Sequence, residues 1–215
     1  MKIFLFIMAA IVGYLVAGFN PAITLSKAIY HKDIRECGSG NAGFTNFKRS
    51  FGNKWAWWVM ALDLSKAAVV IVVFALLLKH WGVDFQIAAA YTGVFCMIGH
   101  AFPVQYKFKG GKGFLVCLSM MYVIDWRIGL IATGVMVILL LTTKYMSLST
   151  SVAILLCPIL MIIPIFKAPL PVILMAAACA IFMAVRHWKN YVRLVRGEES
   201  KFSLFKSKKS DAENK

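Results

Sequence analysis

The sequence predicts an all-α fold: a polytopic integral membrane bundle of about seven transmembrane helices, N-terminus outside and C-terminus cytoplasmic. Three observations carry that reading. Of 215 residues, 60% are hydrophobic and only 15% charged, with a mean hydropathy of +0.75, the composition of a chain dissolved in lipid. Apolar stretches recur along the whole length, separated by polar segments. The basic residues behind the formal net charge of +15 gather in alternate segments rather than in all of them.

Ile3 to Leu25 is nearly uncharged and long enough to cross a bilayer core, with Asn20-Pro21 tolerable near its end. A cleavable leader fits poorly, because only Lys2 precedes the apolar run and no small-residue cleavage site follows it. The polar loop Ser26–Lys54 comes next, opening with Lys27, Lys32 and Arg35. Further apolar stretches lie at Trp55–Leu78, Phe85–Phe102, Phe114–Ile124, Ile128–Thr142, Ser149–Phe166 and Leu170–Val185. Phe114–Ile124 is too short to span upright, so it is expected to be tilted, broken or shielded inside the bundle.

With the N-terminus outside, Lys27–Lys54, Lys107–Lys112, Lys144 and the tail from Arg186 fall on the cytoplasmic face and hold 19 basic residues. The opposite face receives 4: Lys2, Lys79, Arg127 and Lys167. Such charges serve as topology determinants and contacts to anionic membrane lipids, so no nucleic acid partner is expected. Asp63 and Lys66 stand inside the second apolar stretch on one helical face. They form either a structural ion pair or part of a polar site. Cys96, Cys117, Cys157 and Cys179 sit in apolar runs without a Cys-x-x-Cys pair, as small core hydrophobes do. Residues 1–202 read as one domain and 203–215 as a basic, mobile cytoplasmic tail.

Three segments carry chemistry. Gly99-His100 through Gly113 ends an apolar stretch and then packs three lysines among three glycines before Phe114. It reads either as a basic loop with turn glycines or as a phosphate cradle in front of a helix N-terminus. A nucleotide P-loop is excluded, since Gly113 follows Lys112 where Ser or Thr should hold Mg²⁺, and no strand precedes. The first loop, Gly38-Ser39-Gly40-Asn41-Ala42-Gly43-Phe44-Thr45-Asn46-Phe47-Lys48-Arg49, matches a dinucleotide fingerprint only formally. Its flexible backbone, small hydroxyls, amides and arginine suit either an oxyanion or a solvated linker. Near the C-terminus, His187, Asn190 and Arg193 share a helical face, although an arginine there also suits interfacial snorkelling. Lys144 and Ser147 add a cation and a hydroxyl in another short cytoplasmic turn.

In this order, separated by apolar helices, these segments resemble the bacterial membrane acyl-phosphate:glycerol-3-phosphate acyltransferases. The likeness is carried by Gly38-Ser39-Gly40-Asn41 with Gly43, Thr45, Asn46 and Arg49. Gly99-His100, Phe102-Pro103 and Phe108 to Gly113 follow, and then His187, Asn190, Arg193-Leu194, Gly197 and Glu199. Asp63 with Lys66 and Tyr145 with Ser147 also fit. Phe44, Lys48, Ala67, Val116 and Lys144 depart from the usual pattern.

The resemblance implies acyl transfer from a fatty acyl phosphate to the 1-hydroxyl of glycerol 3-phosphate. It implies an active site on the cytoplasmic face of the cell membrane, with no cofactor and no metal. Ser39, Arg49, His187 and Asn190 are the implied catalytic residues. Lys109, Gly110, Gly111, Lys112 and Gly113 are implied to hold glycerol 3-phosphate. Gly38, Gly40, Asn41, Thr45 and Asn46 would complete substrate binding, with Lys144 and Ser147. Asp63, Lys66, His100 and Glu199 would support the site structurally. Thioester-dependent acyltransferases pair a histidine with an aspartate five positions later. Here the residues five after His31, His80, His100 and His187 are Glu36, Phe85, Gln105 and Val192. A transporter of phosphorylated metabolites is the rival reading, but Asp63 and Lys66 on one helix sketch no path across the membrane.

The charge pattern makes the topology testable. Single cysteines at Ser39, Gln105 and Ser200 in a cysteine-free background should label only from the cytoplasmic side. External labelling of any one would overturn the register.

Overall fold

The computed structural model describes residues 1–203, and every regular element among them is a helix. The α-helices are α1 (Lys2–Gly18), α2 (Pro21–Tyr30), α3 (Phe44–Phe51), α4 (Ala56–His80) and α5 (Phe85–Ala101). They continue with α6 (Phe114–Ile124), α7 (Trp126–Thr143), α8 (Met146–Met161), α9 (Leu170–Arg186) and α10 (Trp188–Val195). The stretches around α1 with α2, α4, α5 and α7 are long and apolar enough to cross a membrane. α9 and α10, bent by 54° at His187, make a fifth if they form one span, while α6 and α8 are shorter apolar helices. The seven apolar stretches are thus all helical. By length and composition four helices, or five with α9 and α10 joined, are candidate spans among the described residues, against the seven expected from the sequence.

α5 packs against α1, α4, α6 and α9. Against α1 the approach is close enough that a Cβ on Gly99 would lie 2.1 Å from the carbonyl oxygen of Tyr14. α6 has neighbours in α4, α5, α7, α8 and α9, and Val116 to Met121 and Ile124 are buried. An 11-residue helix therefore sits in the bundle because its neighbours, not lipid, surround it.

The first apolar stretch is not one continuous helix. Pro21 has no N–H to give, and Asn20 breaks the run by capping α2, its side chain accepting from the Ile23 amide at 3.0 Å. The break leaves the Phe19 carbonyl without an intrahelical donor, and the Lys66 ammonium of α4 donates to it. Lys66 lies 2.7 Å from Asp63 Oδ1 and 3.2 Å from His100 Nδ1, all three side chains being buried. The pair expected from sequence is therefore a structural knot joining the α1–α2 break, α4 and α5.

The first loop is also more ordered than a flexible linker. After a 3₁₀ turn at Ile34–Glu36 it forms the amphipathic helix α3. A small second core of Ile23, Ile34, Phe47 and Val59 holds it to α2 and α4. At the other end of the chain, Ser203 is within the described residues, and the rest of the predicted tail, 204–215, lies outside them.

Replacing Lys66 by Met would leave the Asp63 charge buried and the Phe19 carbonyl unmatched, an expected loss of about 3–5 kcal/mol. Adding Asp63→Leu should recover the charge penalty and leave a carbonyl penalty of about 1–3 kcal/mol. Thermal unfolding in detergent distinguishes the two; equal loss in the single and double variants would argue against the knot.

Candidate active site

The three sequence segments converge on one cavity of about 800 Å³. One half is polar and is built by the loops. The other runs between α4, α6 and α7 and is lined by Met60, Leu64, Leu118, Tyr122, Met136 and Leu140.

Asn46 organises the first loop. Its amide nitrogen lies within hydrogen-bonding distance of the carbonyls of Ile34, Cys37 and Asn41, and its oxygen accepts from the Ser39 amide at 2.9 Å. Four points of the turn are thereby gathered on one side chain, while Ser39, Asn41, Thr45 and Arg49 line the cavity. Thr45 and Arg49 are four apart on α3 and so share its inner face. Burial pushes the Arg49 pKa below the ordinary guanidinium value, with Glu199 opposing. The side chain remains a cation at neutral pH.

The glycine segment is held from both sides. The Gly110 and Gly111 amides donate to the carbonyls of Ala101 and His100 at the end of α5. Arg186 donates to the Gly111 carbonyl at 2.9 Å. A Cβ on Gly110 would fall 2.0 Å from the His100 carbonyl oxygen, and one on Gly111 would fall 2.2 Å from His100 Nε2. These two glycines are needed for close packing, and their amides are not free for a ligand. Gly113 has φ +93° and caps the N-terminus of α6, and Gly113, Phe114 and Leu115 line the cavity at that helix end. Lys112, between the packed glycines and the helix start, donates to Asn190 Oδ1. Burial lowers its pKa to about 8. Arg193, Arg186 and Arg49 push the same way, and Glu199 opposes them.

Glu199 closes the third side. Oε1 accepts from Ser147 at 2.8 Å and from Asn190 at 2.7 Å, and Oε2 accepts from Arg193 Nε at 2.9 Å. Burial opposes its ionisation, but these hydrogen bonds outweigh that and hold its pKa below the ordinary value. His187 stands at the α9–α10 bend with Nδ1 2.9 Å from the Met183 carbonyl. A carbonyl only accepts, so Nδ1 carries the proton, and Nε2 of the neutral ring is left as an acceptor.

The cavity therefore brings together Ser39, Asn41, Thr45, Asn46, Arg49, Lys112, Gly113, Ser147, His187, Asn190 and Glu199, with Asp63 and His100 at its wall. Gly38 and Gly40 shape the turn behind Ser39 at φ +55° and +72° and do not line the cavity. Lys109 and Lys144 are exposed outside it; the Lys144 carbonyl accepts from the Phe202 amide at 2.7 Å. Phe202 and Trp57 escaped the sequence reading, and Arg186 entered it only as a topology charge. Phe202 lines the cavity beside Phe44 and Trp57, and the Lys48 ammonium lies 4.5 Å from its ring centroid. Lys48 also donates to the Ser203 carbonyl at 2.7 Å. The departures Phe44 and Lys48, one turn apart on α3, were the available signal for that contact.

The fold and site define an integral membrane enzyme whose cavity joins a cationic chamber to a hydrocarbon-lined arm, as an amphiphile with an anionic head requires. The family model described as "Glycerol-3-phosphate acyltransferase" matches residues 7–197. The chain belongs to that family and is an acyltransferase. A glycerol-3-phosphate acyltransferase of Coxiella burnetii (strain Dugway 5J108-111) is 33% identical over 200 residues, covering 93% of this chain and 99% of its own. One of Clostridioides difficile (strain 630) is 34% identical over 202 residues, covering 94% and 97%. Among solved structures, PlsY (YgiH), an integral membrane glycerol 3-phosphate acyltransferase, in its glycerol 3-phosphate form superposes with a TM-score of 0.83 at 29% identity. That match covers 95% of this chain and 99% of the other. The lysophosphatidic acid form gives 0.80 at 27% identity, covering 92% and 95%.

Proposed function

We propose that this glycerol-3-phosphate acyltransferase takes its acyl group from a fatty acyl phosphate, working at the cytoplasmic face of the cell membrane. The observation that carries the reading is a charge imbalance. Arg49 and Lys112 line the chamber, and Arg186 and Arg193 act on Lys112 from beside it. Of the carboxylates at the wall, Asp63 is matched by Lys66, which leaves Glu199 against these cations. A phosphorylated substrate neutralises that excess, and the α6 N-terminus adds oriented amides beside Lys112. Glycerol 3-phosphate occupies the chamber between Lys112 and Arg49, and the acyl chain lies in the α4–α6–α7 arm.

The substrate hydroxyl oxygen attacks the acyl carbonyl carbon while the bond from that carbon to the phosphate oxygen breaks. His187 Nε2 accepts the hydroxyl proton, with the ring orientation fixed through Nδ1. Phosphate departs with the bonding pair, and the cations beside it stabilise the charge that develops. The donor is a mixed anhydride with a good leaving group, so no protein nucleophile is needed. Ser39 contributes a hydroxyl at the chamber rim, and Asn190 holds Lys112 against Glu199.

The assay supplies palmitoyl phosphate or palmitoyl-coenzyme A with labelled glycerol 3-phosphate to purified protein and measures labelled lysophosphatidic acid. Product from the phosphate alone is expected. Comparable product from the thioester would overturn the donor assignment.

The Lys112 pKa sets a pH dependence. The ammonium is charged below about pH 8 and neutral above it, so kcat/KM for glycerol 3-phosphate should fall on an alkaline limb near that value. Folding stability responds in the opposite sense. The folded-state pKa lies below the unfolded one, so the burden of the buried charge is full below about pH 8 and is relieved as pH rises towards the ordinary lysine value of 10.5. Lys112→Arg should remove the kinetic limb. A profile flat to about pH 10 in the unsubstituted enzyme would argue against Lys112 as the phosphate ligand.

A further inference from the structure

We infer that Arg186, through the Gly111 carbonyl, is the positioning residue that aims Lys112 into the chamber. This rests on the reading of Lys112 as a phosphate ligand. The Gly111 carbonyl belongs to the same planar peptide as the Lys112 N–H, so a bond to that oxygen fixes the plane from which the Lys112 side chain departs. Arg186 Nη2 donates to it at 2.9 Å and reaches the Gly110 carbonyl at 3.5 Å. The amides of the same two glycines are taken by α5, so Arg186 supplies the opposite half of the clamp.

The guanidinium is itself fixed. Its Cζ lies 5.0 Å from the centroid of the Phe102 ring, and that ring packs edge-on against Phe182, one turn back from Arg186 on α9. Arg186 directly precedes His187, so α9 delivers a clamp for the glycine segment and the proton acceptor from consecutive residues. Lysine reproduces only part of this. Both carbonyl contacts come from the single nitrogen Nη2, which an ammonium could imitate. The contact of a planar guanidinium with the Phe102 ring, which fixes where that nitrogen sits, is lost with lysine.

The charge of Arg186 reaches Lys112 as well. Lys112 is faced by Arg49 from α3, by Arg186 and His187 at the end of α9, by Arg193 from α10, and by Glu199 beyond α10. Removing one of those cations relieves repulsion, which raises the Lys112 pKa.

The test measures KM for glycerol 3-phosphate, kcat and the alkaline limb in Arg186→Met, Arg186→Lys, Phe102→Leu and Lys112→Met. Arg186→Met should raise KM about tenfold, leave kcat within about threefold, and move the limb to higher pH. Arg186→Lys should rescue KM in part and leave the limb in place, because the charge stays and the planar contact with Phe102 is lost. Phe102→Leu keeps the arginine and loosens it, so KM should rise by a smaller factor with the limb unmoved. This variant keeps the idea testable if Arg186→Met fails to fold. A merely structural Arg186 would change yield and thermal stability without raising KM, whereas the limb follows the loss of charge in either case. If Lys112→Met raises KM while Arg186→Met changes neither KM nor the limb, the positioning role is wrong. A limb that moves without any change in KM would reduce Arg186 to an electrostatic neighbour and also overturn it. If Lys112→Met itself binds glycerol 3-phosphate normally, the underlying reading of Lys112 fails instead.

Discussion

An apolar bundle tolerates a broken helix only where something answers the freed backbone groups. Here that something is the Lys66 ammonium at the Phe19 carbonyl, and much of the site depends on it. A lone ammonium would be too costly in lipid, so Asp63 neutralises it from one turn away on the same helix. His100 sits against the pair, which anchors the end of α5. The His100 and Ala101 carbonyls then take the Gly111 and Gly110 amides. One buried ion pair is thereby connected, through His100 and the end of α5, to the backbone that presents Lys112. Asn20, at the same break, donates to the Ala42 carbonyl at 3.1 Å and so fixes the first loop from the same point. The break in the first stretch is the place where both loops are tied down.

The chamber reverses that logic. Around Asp63 and Lys66 the charges cancel, whereas around Lys112 cations outnumber the carboxylate. Glu199 is spread across Ser147, Asn190 and Arg193, so its charge is already distributed over two helices and the chamber rim. Burial is the main cause of the depressed Lys112 pKa, and the remaining positive charge of Arg193, Arg186 and Arg49 adds to it. A neutral or cationic ligand could not relieve that charge. The same imbalance that lowers stability in the free protein favours an anion when one binds.

The helices and the three converging segments were legible because hydropathy, basic asymmetry and polar spacing are properties of short windows. What those windows could not show was which backbone groups are already spoken for. Gly110 and Gly111 read as a cradle because glycine between lysines permits one; the α5 carbonyls that consume their amides lie in another part of the chain. Asn46 read as a ligand and serves as the clamp of its own loop, and Arg186 read as a topology charge. Phe44 and Lys48 read as unexplained departures because their partner, Phe202, is more than 150 residues away. Long-range contacts of this kind leave no local period.

The shortness of α6 completes the argument. α6 and α7 leave a shared turn at Asp125, where Asp125 caps α7 and pairs with Arg127. α7 continues for 18 residues and α6 for 11, so α6 ends about 10 Å sooner at 1.5 Å per residue. Its N-terminus, with Lys112 and Gly113, is therefore set back from the level that α7 reaches at Thr143. There Lys112 is partly buried and lines the same cavity as Leu115 and Leu118, so the cationic loop adjoins the hydrocarbon arm. A full-length α6 would lift the ammonium out of the cavity and separate the site for the anionic head from the site for the chain. The feature that looked least suited to a membrane span is the one that lets a water-soluble phosphate and a lipid-soluble acyl group meet.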